Sequence, residues 1–404
     1  MASAAVRVPR QEMSRSNDLL IVGGGPAGAA LGTLLARADR AVAIIEQSDA
    51  AHDKVCGDFL SYEAIHYLRA LGIDPERMGA VAVTNVRLAS HELIGECALP
   101  FTGMGLSRRV LDEALLANAR NCGADVLRGK RVEHLRPSGD GWIALLETGE
   151  EIRGASAFVA TGKHDLRGWH RPEGKQNDLV AFKMYFRLRP EMAHAIAGQV
   201  ELVLFPGGYA GLLGLGGGVM NLCLLVRRAV LREFGGNWRR LLKHIQSSSQ
   251  YLARYLEGAE ELLEKPLAIS AIPYGYIRAN AAGGIWRLGD QAAVIPSFSG
   301  DGISIALHSA LIAAQAFLDG RTAQEFQEHL ARQLKKPVLA ALAVSRIMVR
   351  APAAAYAVRV WPEALRAITQ WTRVPQGALI PAAMCNATMR ECIAQVSSLA
   401  TRCR

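Results

Sequence analysis

The sequence predicts an α/β fold of two interlocked domains followed by a helical C-terminal region. Three observations carry this. A strand–helix–strand pattern fills residues 18–45. Alternating and glycine-punctuated apolar runs over 78–99 and 182–226 call for a sheet apart from it. The last eighty residues are rich in Ala. At 404 residues the chain is longer than a single core usually grows, which favours two domains.

The elements follow in order. Asp18-Leu-Leu-Ile-Val22 is a short apolar run ending on glycines, the mark of a buried parallel strand. Residues 26–38 have helical composition and 41–45 read as a second buried strand, completing a βαβ unit. A helix is predicted over 106–122, with strands near Val126, over 142–147 and over 158–162. The Asp140-Gly141 pair before the second of these suits a hairpin. Residues 285–288 form a strand running into Gly289-Asp290, and a long helix starts at Gly302. Beyond it, helix is expected to break at Pro337, Pro352, Pro362, Pro375 and Pro381.

Composition excludes several classes. The stretch 202–226 is uncharged but carries Pro206 and seven glycines, which suit a hairpin better than a membrane span. The first sixteen residues have arginines but no apolar run behind them, so a flexible leader is expected, not a secretion signal. Seven cysteines without a CxxC pair suggest neither a disulfide framework nor a zinc site, and no metal is expected; a reducing cytoplasm fits. From Arg321 onwards, twelve Lys or Arg stand against four Glu, most of the net +9 of the chain. A solvated helical surface accounts for this plainly; the sharper reading is a contact with an anionic membrane or an acidic carrier protein. Nucleic acid is excluded as a partner, because no recognised motif or aromatic–basic interleaving accompanies the charge.

Chemistry begins at Ile21-Val-Gly-Gly-Gly-Pro-Ala-Gly-Ala-Ala-Leu-Gly32. Gly23, Gly25 and Gly28 fill GxGxxG between a strand and a helix, with Pro26 and Ala27 inside the turn. Gly23 permits the tight turn, Gly25 lets the backbone approach a pyrophosphate, and Gly28 lets the helix pack on the sheet. The helix N-terminus offers free N–H groups to phosphates. Glu46, followed by Gln47, ends the second strand eighteen residues after Gly28, where a carboxylate accepts ribose hydroxyls. An acidic partner favours NAD or FAD over NADP.

A second glycine site decides between them. Trp286-Arg-Leu-Gly-Asp-Gln-Ala-Ala-Val-Ile-Pro-Ser-Phe-Ser-Gly-Asp-Gly-Ile303 is a strand, a Gly-Asp turn, a Pro loop and glycines opening a helix. Its helix N-terminus needs its own electron-rich group, and FAD is long enough to use both ends. Together these segments resemble the FAD-dependent superfamily that includes para-hydroxybenzoate hydroxylase and the geranylgeranyl reductases, over roughly residues 16–325. The resemblance implies a Rossmann-like FAD-binding domain of glutathione-reductase type (17–78, 104–165 and 270–325), an interleaved β-sheet substrate domain (79–103 and 166–269) and C-terminal helices (326–404). It also implies that Asp290 meets the ribityl chain, that Gly300, Gly302 and Ile303 face the pyrimidine edge of the flavin, and that Lys54 and Arg108 belong to the FAD site, Arg108 near the phosphates.

Lys54-Val-Cys-Gly-Asp-Phe-Leu-Ser61 resembles the geranylgeranyl reductase branch, where a Cys-Gly pair lies beside the isoalloxazine ring. Gly57 would allow close approach to the ring, and Cys56 either tunes the flavin or fills a small apolar space. Tyr209 and Asn221 are pocket or core polar groups. One stretch departs from the aromatic hydroxylases: their Gly-Ala-Asp-Gly is replaced by Ala160-Thr-Gly-Lys-His-Asp-Leu-Arg167. Lys163, His164, Asp165 and Arg167 either meet a nicotinamide phosphate or form a solvated loop. Halogenases share this fold, but no WxWxIP motif is present.

The expected activity is that of a cytoplasmic FAD-dependent oxidoreductase, reduced by NAD(P)H or another donor. It acts on a hydrophobic lipid-, isoprenoid- or polyketide-like substrate, leaning to C=C reduction. A monooxygenase acting on a hydrophobic or phenolic molecule is the alternative, and a non-catalytic flavin-binding protein the third reading.

Overall fold

The computed structural model describes residues 16–90, 93–350 and 362–380. Two sheets organise them. The first runs in the order β6-β2-β1-β9-β8-β7, with β16 pairing β9. Its parallel core is β1 (Ser16–Val22), β2 (Val42–Ile45), β6 (Asp125–Leu127), β9 (Glu151–Val159) and β16 (Trp286–Arg287). β7 (Val132–Ser138) and β8 (Gly141–Leu146) add an antiparallel meander, turned at Gly139 and Asp140.

The second sheet is ordered β14-β10-β13-β12-β11-β4-β5-β3, with β15 on β10. It contains β3 (Phe59–Leu60), β4 (Val81–Ser90), β5 (Leu93–Gly105), β10 (Leu179–Arg187), β11 (Gln199–Phe205), β12 (Gly208–Gly214), β13 (Val219–Arg227), β14 (Glu260–Glu261) and β15 (Leu267–Ser270). The glycine-rich stretch 202–226 is thus three antiparallel strands in register, Leu202 opposite Gly211 and Leu212 opposite Leu222.

Side chains alternate across this sheet. Val203, Phe205, Ala210, Leu222 and Leu224 form one core with a helical layer. That layer comprises α4 (Pro190–Ala195), α5 (Arg228–Glu233), α6 (Trp238–Ser248) and α7 (Gln250–Leu256). The opposite face, with Leu202, Leu204, Tyr209, Cys223 and Leu225, turns towards the first domain.

Around the first sheet lie α1 (Pro26–Arg37), α2 (Tyr62–Ala70), α3 (Arg108–Asn121) and α8 (Gly302–Leu318). Ile21, Leu31, Ile44, Leu115 and Leu311 share one core there. α9 (Ala323–Arg350) and α10 (Pro362–Trp371) follow.

The expected break at Pro337 does not occur, because α9 continues through it. A proline inside a helix costs about 3 kcal/mol. Phe326, Leu330, Leu334, Val338 and Ala341 are all buried along the same helix, and each large apolar side chain contributes roughly 1.5–3 kcal/mol, so burial wins. Pro362 is the first residue of α10, where a missing N–H is harmless. Pro352 and Pro381, the leader to residue 15 and Cys385, Cys392 and Cys403 lie outside the described residues. Among the described residues, no helix is long and apolar enough to cross a membrane.

Candidate active site

The glycine turn shows why each of its glycines is there. Gly23 has φ of +106°, and a Cβ on it would sit 2.5 Å from the Ala160 carbonyl oxygen. A Cβ on Gly28 would fall 1.9 Å from the Gly23 oxygen, so α1 reaches the sheet only with glycine here. A Cβ on Gly25 would have only the Arg108 guanidinium within 4 Å, because this residue faces the cleft. Glu46 is buried at the end of β2. Its two oxygens accept the N–H groups of Gly24 at 2.7 Å and Ser48 at 2.9 Å, leaving lone pairs on the cleft side.

Two cations flank this turn around one carboxylate. Arg108, first residue of α3, donates twice to Asp112 at 2.7 and 2.8 Å, and Lys54 approaches the same carboxylate at 3.1 Å. Burial opposes the charge of Asp112, but Arg108 and Lys54 outweigh it and hold its pKa below the usual carboxylate value. The trio keeps one positive charge in excess beside the N-terminus of α1, which suits a pyrophosphate.

From Lys54 the chain passes over the junction of the two domains. Cys56 is half-buried, its Sγ accepts the Asp58 N–H at 3.4 Å, and its carbonyl accepts Asn221 Nδ2 at 2.9 Å. A Cβ on Gly57 would meet nothing within 4 Å, although the residue lines the cavity. Asp58 then adopts φ of +59° and turns inwards. Its carboxylate accepts Lys183 Nζ at 2.7 and 2.8 Å and Tyr185 Oη at 2.8 Å. Burial pushes the pKa of Asp58 above its ordinary value, against the pull of Lys183, Tyr185 and Arg108. Tyr185 also reaches Asp53 at 3.2 Å. The segment 53–58 is thereby pinned to β10. Sequence reasoning missed Asp58, Lys183 and Tyr185. A lysine within Leu-Val-Ala-Phe-Lys-Met-Tyr-Phe was the available signal, since a charge in so apolar a strand needs a buried partner.

The second glycine site closes the cleft from the other end. Gly289, at φ of +54°, rests against Ala27 and Ala306, so it abuts α1. Asp290 lines the cleft, and its carbonyl accepts Arg171 Nη1 at 2.7 Å. Gly300 has φ of +75° and packs against the Phe59 ring; a Cβ on Gly302 would meet nothing within 4 Å. Asp301 between them is the N-cap residue of α8 and is 1% exposed.

The Thr161–Arg167 loop lies on the rim. Lys163 Nζ donates to the Val55 carbonyl at 2.7 Å, and Asp165 is committed to Arg171 at 2.6 Å. Burial, with Lys163 and Lys54 nearby, draws the pKa of His164 below its ordinary value. Arg167 pairs with Glu133 at 3.1 Å.

The two glycine sites, the Lys54–Gly57 segment and the Thr161–Arg167 loop open onto one cavity of about 1350 Å³. Every cofactor residue expected from the sequence lines it, Gln47 and Ile303 included, except Gly28, which lies beneath the turn; Cys56 and Gly57 line it too. Much of its wall is apolar: Val86 and Leu88, Val200, Leu202 and Leu204, Cys223 and Leu225, with Val344, Ile347 and Met348 of α9 and Ile368 of α10. Tyr209 lies in this wall, buried, its hydroxyl making no hydrogen bond of good geometry to the protein. Asn221 does not line the cavity.

The residues fit FAD. Gly25, Gly57 and Gly302 leave open faces on one continuous cleft, and the Arg108–Asp112–Lys54 trio supplies the phosphate charge. A family model described as an FAD binding domain matches residues 16–156. The chain is 26% identical over 347 residues to a menaquinone reductase of Mycolicibacterium smegmatis, covering 79% of this chain and 82% of that one. It is 26% identical over 353 residues to digeranylgeranylglycerophospholipid reductase 2 of Methanosphaera stadtmanae, covering 79% and 85%. Among solved structures, the flavin-dependent brominase Bmp2 superposes with a TM-score of 0.73 over 95% of this chain and 99% of that one, at 14% identity. That last likeness is one of fold.

Proposed function

Because this chain is an FAD-dependent oxidoreductase with a menaquinone reductase and a digeranylgeranylglycerophospholipid reductase among its relatives, we propose that it reduces a carbon–carbon double bond in a long apolar substrate. The observation that carries this is that one cavity is lined both by the two glycine sites and by a broad set of apolar side chains. When bound, FAD supplies two-electron chemistry, taking a hydride from a donor and passing one to an acceptor. The chain's own residues hold the cofactor at both glycine sites, exclude water with apolar walls and offer the Tyr209 hydroxyl to a polar end of the substrate. The names of the two sequence relatives support reduction over oxygenation.

NAD(P)H is the proposed electron donor. Lys163 and Arg167 support it, as cations lining the cleft. The outer wall of the chamber supports a membrane-borne substrate: Ile347 is 53% exposed and Trp371 69%, with Arg350 and Arg366 exposed on the same two helices. Flotation with anionic liposomes at low salt tests this, and no binding would remove it.

The activity itself is tested with FAD-loaded protein, NADPH or NADH, and three probes: a polyprenyl menaquinone, a geranylgeranyl phospholipid and a conjugated polyene. Tandem mass spectrometry should find a product that has gained two hydrogens in its polyprenyl, geranylgeranyl or polyene chain; for the menaquinone, a gain confined to the quinone ring would identify a quinone reductase instead. A product that has gained oxygen would identify a monooxygenase instead.

A further inference from the structure

α8 begins under an acid with no well-aligned partner. Asp301 is 1% exposed and lines the cavity, yet neither oxygen of its carboxylate receives a hydrogen bond of good geometry. The Ser61 and Ser299 hydroxyls lie beside it as its nearest donors, and Ser61 is shared with other partners. Ser61 Oγ contacts Glu63 at 3.0 Å and Ser304 at 2.5 Å, and Ser299 Oγ accepts the Asp301 N–H at 3.3 Å.

The charges around it do not balance two anions. Facing Asp301 are Glu63 of α2 and Arg373, which follows α10. Arg373 Nε donates to Glu63 at 3.1 Å, and its guanidinium lies 3.5 Å over the Phe101 ring. One cation thus serves two carboxyl groups and is committed to Glu63. Burial pushes the pKa of Asp301 well above the carboxylate value, more strongly than Arg373 and the serines lower it, and Glu63 adds to the rise. A buried carboxylate whose donors are this poorly aligned favours the protonated form. Asp301 therefore stands in the cavity as a neutral carboxylic acid.

We propose that Asp301 is the proton donor of the reduction, an inference that rests on the double-bond reading above. The hydride from reduced FAD, itself reduced by NAD(P)H, brings one hydrogen and two electrons to one carbon. The π electron pair then forms the second C–H bond at the neighbouring carbon with the Asp301 proton, as the Asp301 O–H bond breaks. The resulting carboxylate finds the N-terminus of α8 and the Arg373 guanidinium beside it, which stabilise the anion until solvent returns a proton. A neutral resting acid with cationic groups near its conjugate base is the arrangement a general acid needs.

The test uses FAD-loaded wild type, Asp301→Asn and Asp301→Glu. Infrared spectra at neutral pH should show a carboxylic-acid C=O band in wild type that Asp301→Asn lacks. In anaerobic stopped flow, the dithionite-reduced holoproteins are mixed with whichever of the three probes wild type reduces. Reoxidation by that probe should slow by roughly 10²–10⁴-fold in Asp301→Asn, with partial recovery in Asp301→Glu and bound flavin retained in all three. An infrared band indifferent to Asp301→Asn, or an unchanged reoxidation rate, overturns the donor role alone. A wild type that reduces none of the probes overturns the double-bond reading and the donor role with it.

Discussion

Lys183 and Asp58 form an ion pair at 2.7 Å in which both side chains are wholly buried. The pair joins β10 of the substrate sheet to the Cys56–Gly57 segment over the flavin cleft, and Tyr185 completes it. Removing one partner leaves a buried charge, which costs about 3–5 kcal/mol. Lys183→Met should therefore lower the unfolding free energy by that amount and weaken FAD retention. Lys183→Met/Asp58→Asn should recover part of the loss, as measured by urea unfolding. An additive double mutant would show that the two side chains are not coupled.

Gly28→Ala and Gly57→Ala separate folding from cofactor binding. The first places a methyl group 1.9 Å from the Gly23 oxygen and should prevent a stable fold. The second enters open space and should leave the apoprotein's melting temperature within about 1 °C of wild type, the shift that roughly 1 kcal/mol produces in a chain of this length. FAD affinity should nevertheless fall at least tenfold in Gly57→Ala, read by flavin fluorescence on dilution. Normal affinity would mean that the ring does not approach Gly57.

Tyr209→Phe removes a buried hydroxyl that makes no hydrogen bond of good geometry to the protein. Stability should hold or rise slightly, since nothing is left unpaired. If the hydroxyl serves the substrate, KM should rise about 5–10-fold, equivalent to roughly 1–1.5 kcal/mol for one hydrogen bond, with kcat little changed. Steady-state kinetics on whichever probe is reduced would decide.

His308 carries a pH signature of stability. It is buried between Tyr67 and Gln333, with Nδ1 2.8 Å from Tyr67 Oη and Nε2 2.9 Å from Gln333 Oε1. Burial lowers its pKa from 6.5 to about 4. The unfolded chain therefore takes up a proton between these values that the folded chain refuses, and stability falls as pH drops through that window. Below about pH 4 the loss from this group stops. About 3 kcal/mol should disappear between pH 6.5 and 4, and His308→Gln should lose much less, by urea midpoints at both pH values.

How much of this was legible in sequence depends on chain distance. The turn at Gly23–Gly28 and its strand–helix setting are local, so spacing reveals them. Gly289–Asp290 and Gly300–Gly302 are local as well. Asp58 and Lys183, by contrast, are 125 positions apart, and no local pattern pairs them. Glu46 was expected as a ribose acceptor, and its hold on the Gly24 N–H became visible only with β2 in place beside β1. Helix propensity misjudged Pro337, where burial along α9 outweighed the missing backbone bond. The solitude of Asp301 is least legible of all. It arises because Arg373, seventy-two residues further on, is drawn to Glu63.

The chamber's walls come from α9, α10 and one face of the second sheet, whereas the flavin is gripped by glycine turns elsewhere in the chain. Val344, Ile347 and Ile368 can be exchanged without disturbing Gly23, Gly57 or Gly302. An inherited redox engine can thus be refitted for new clients by drift in a few aliphatic positions.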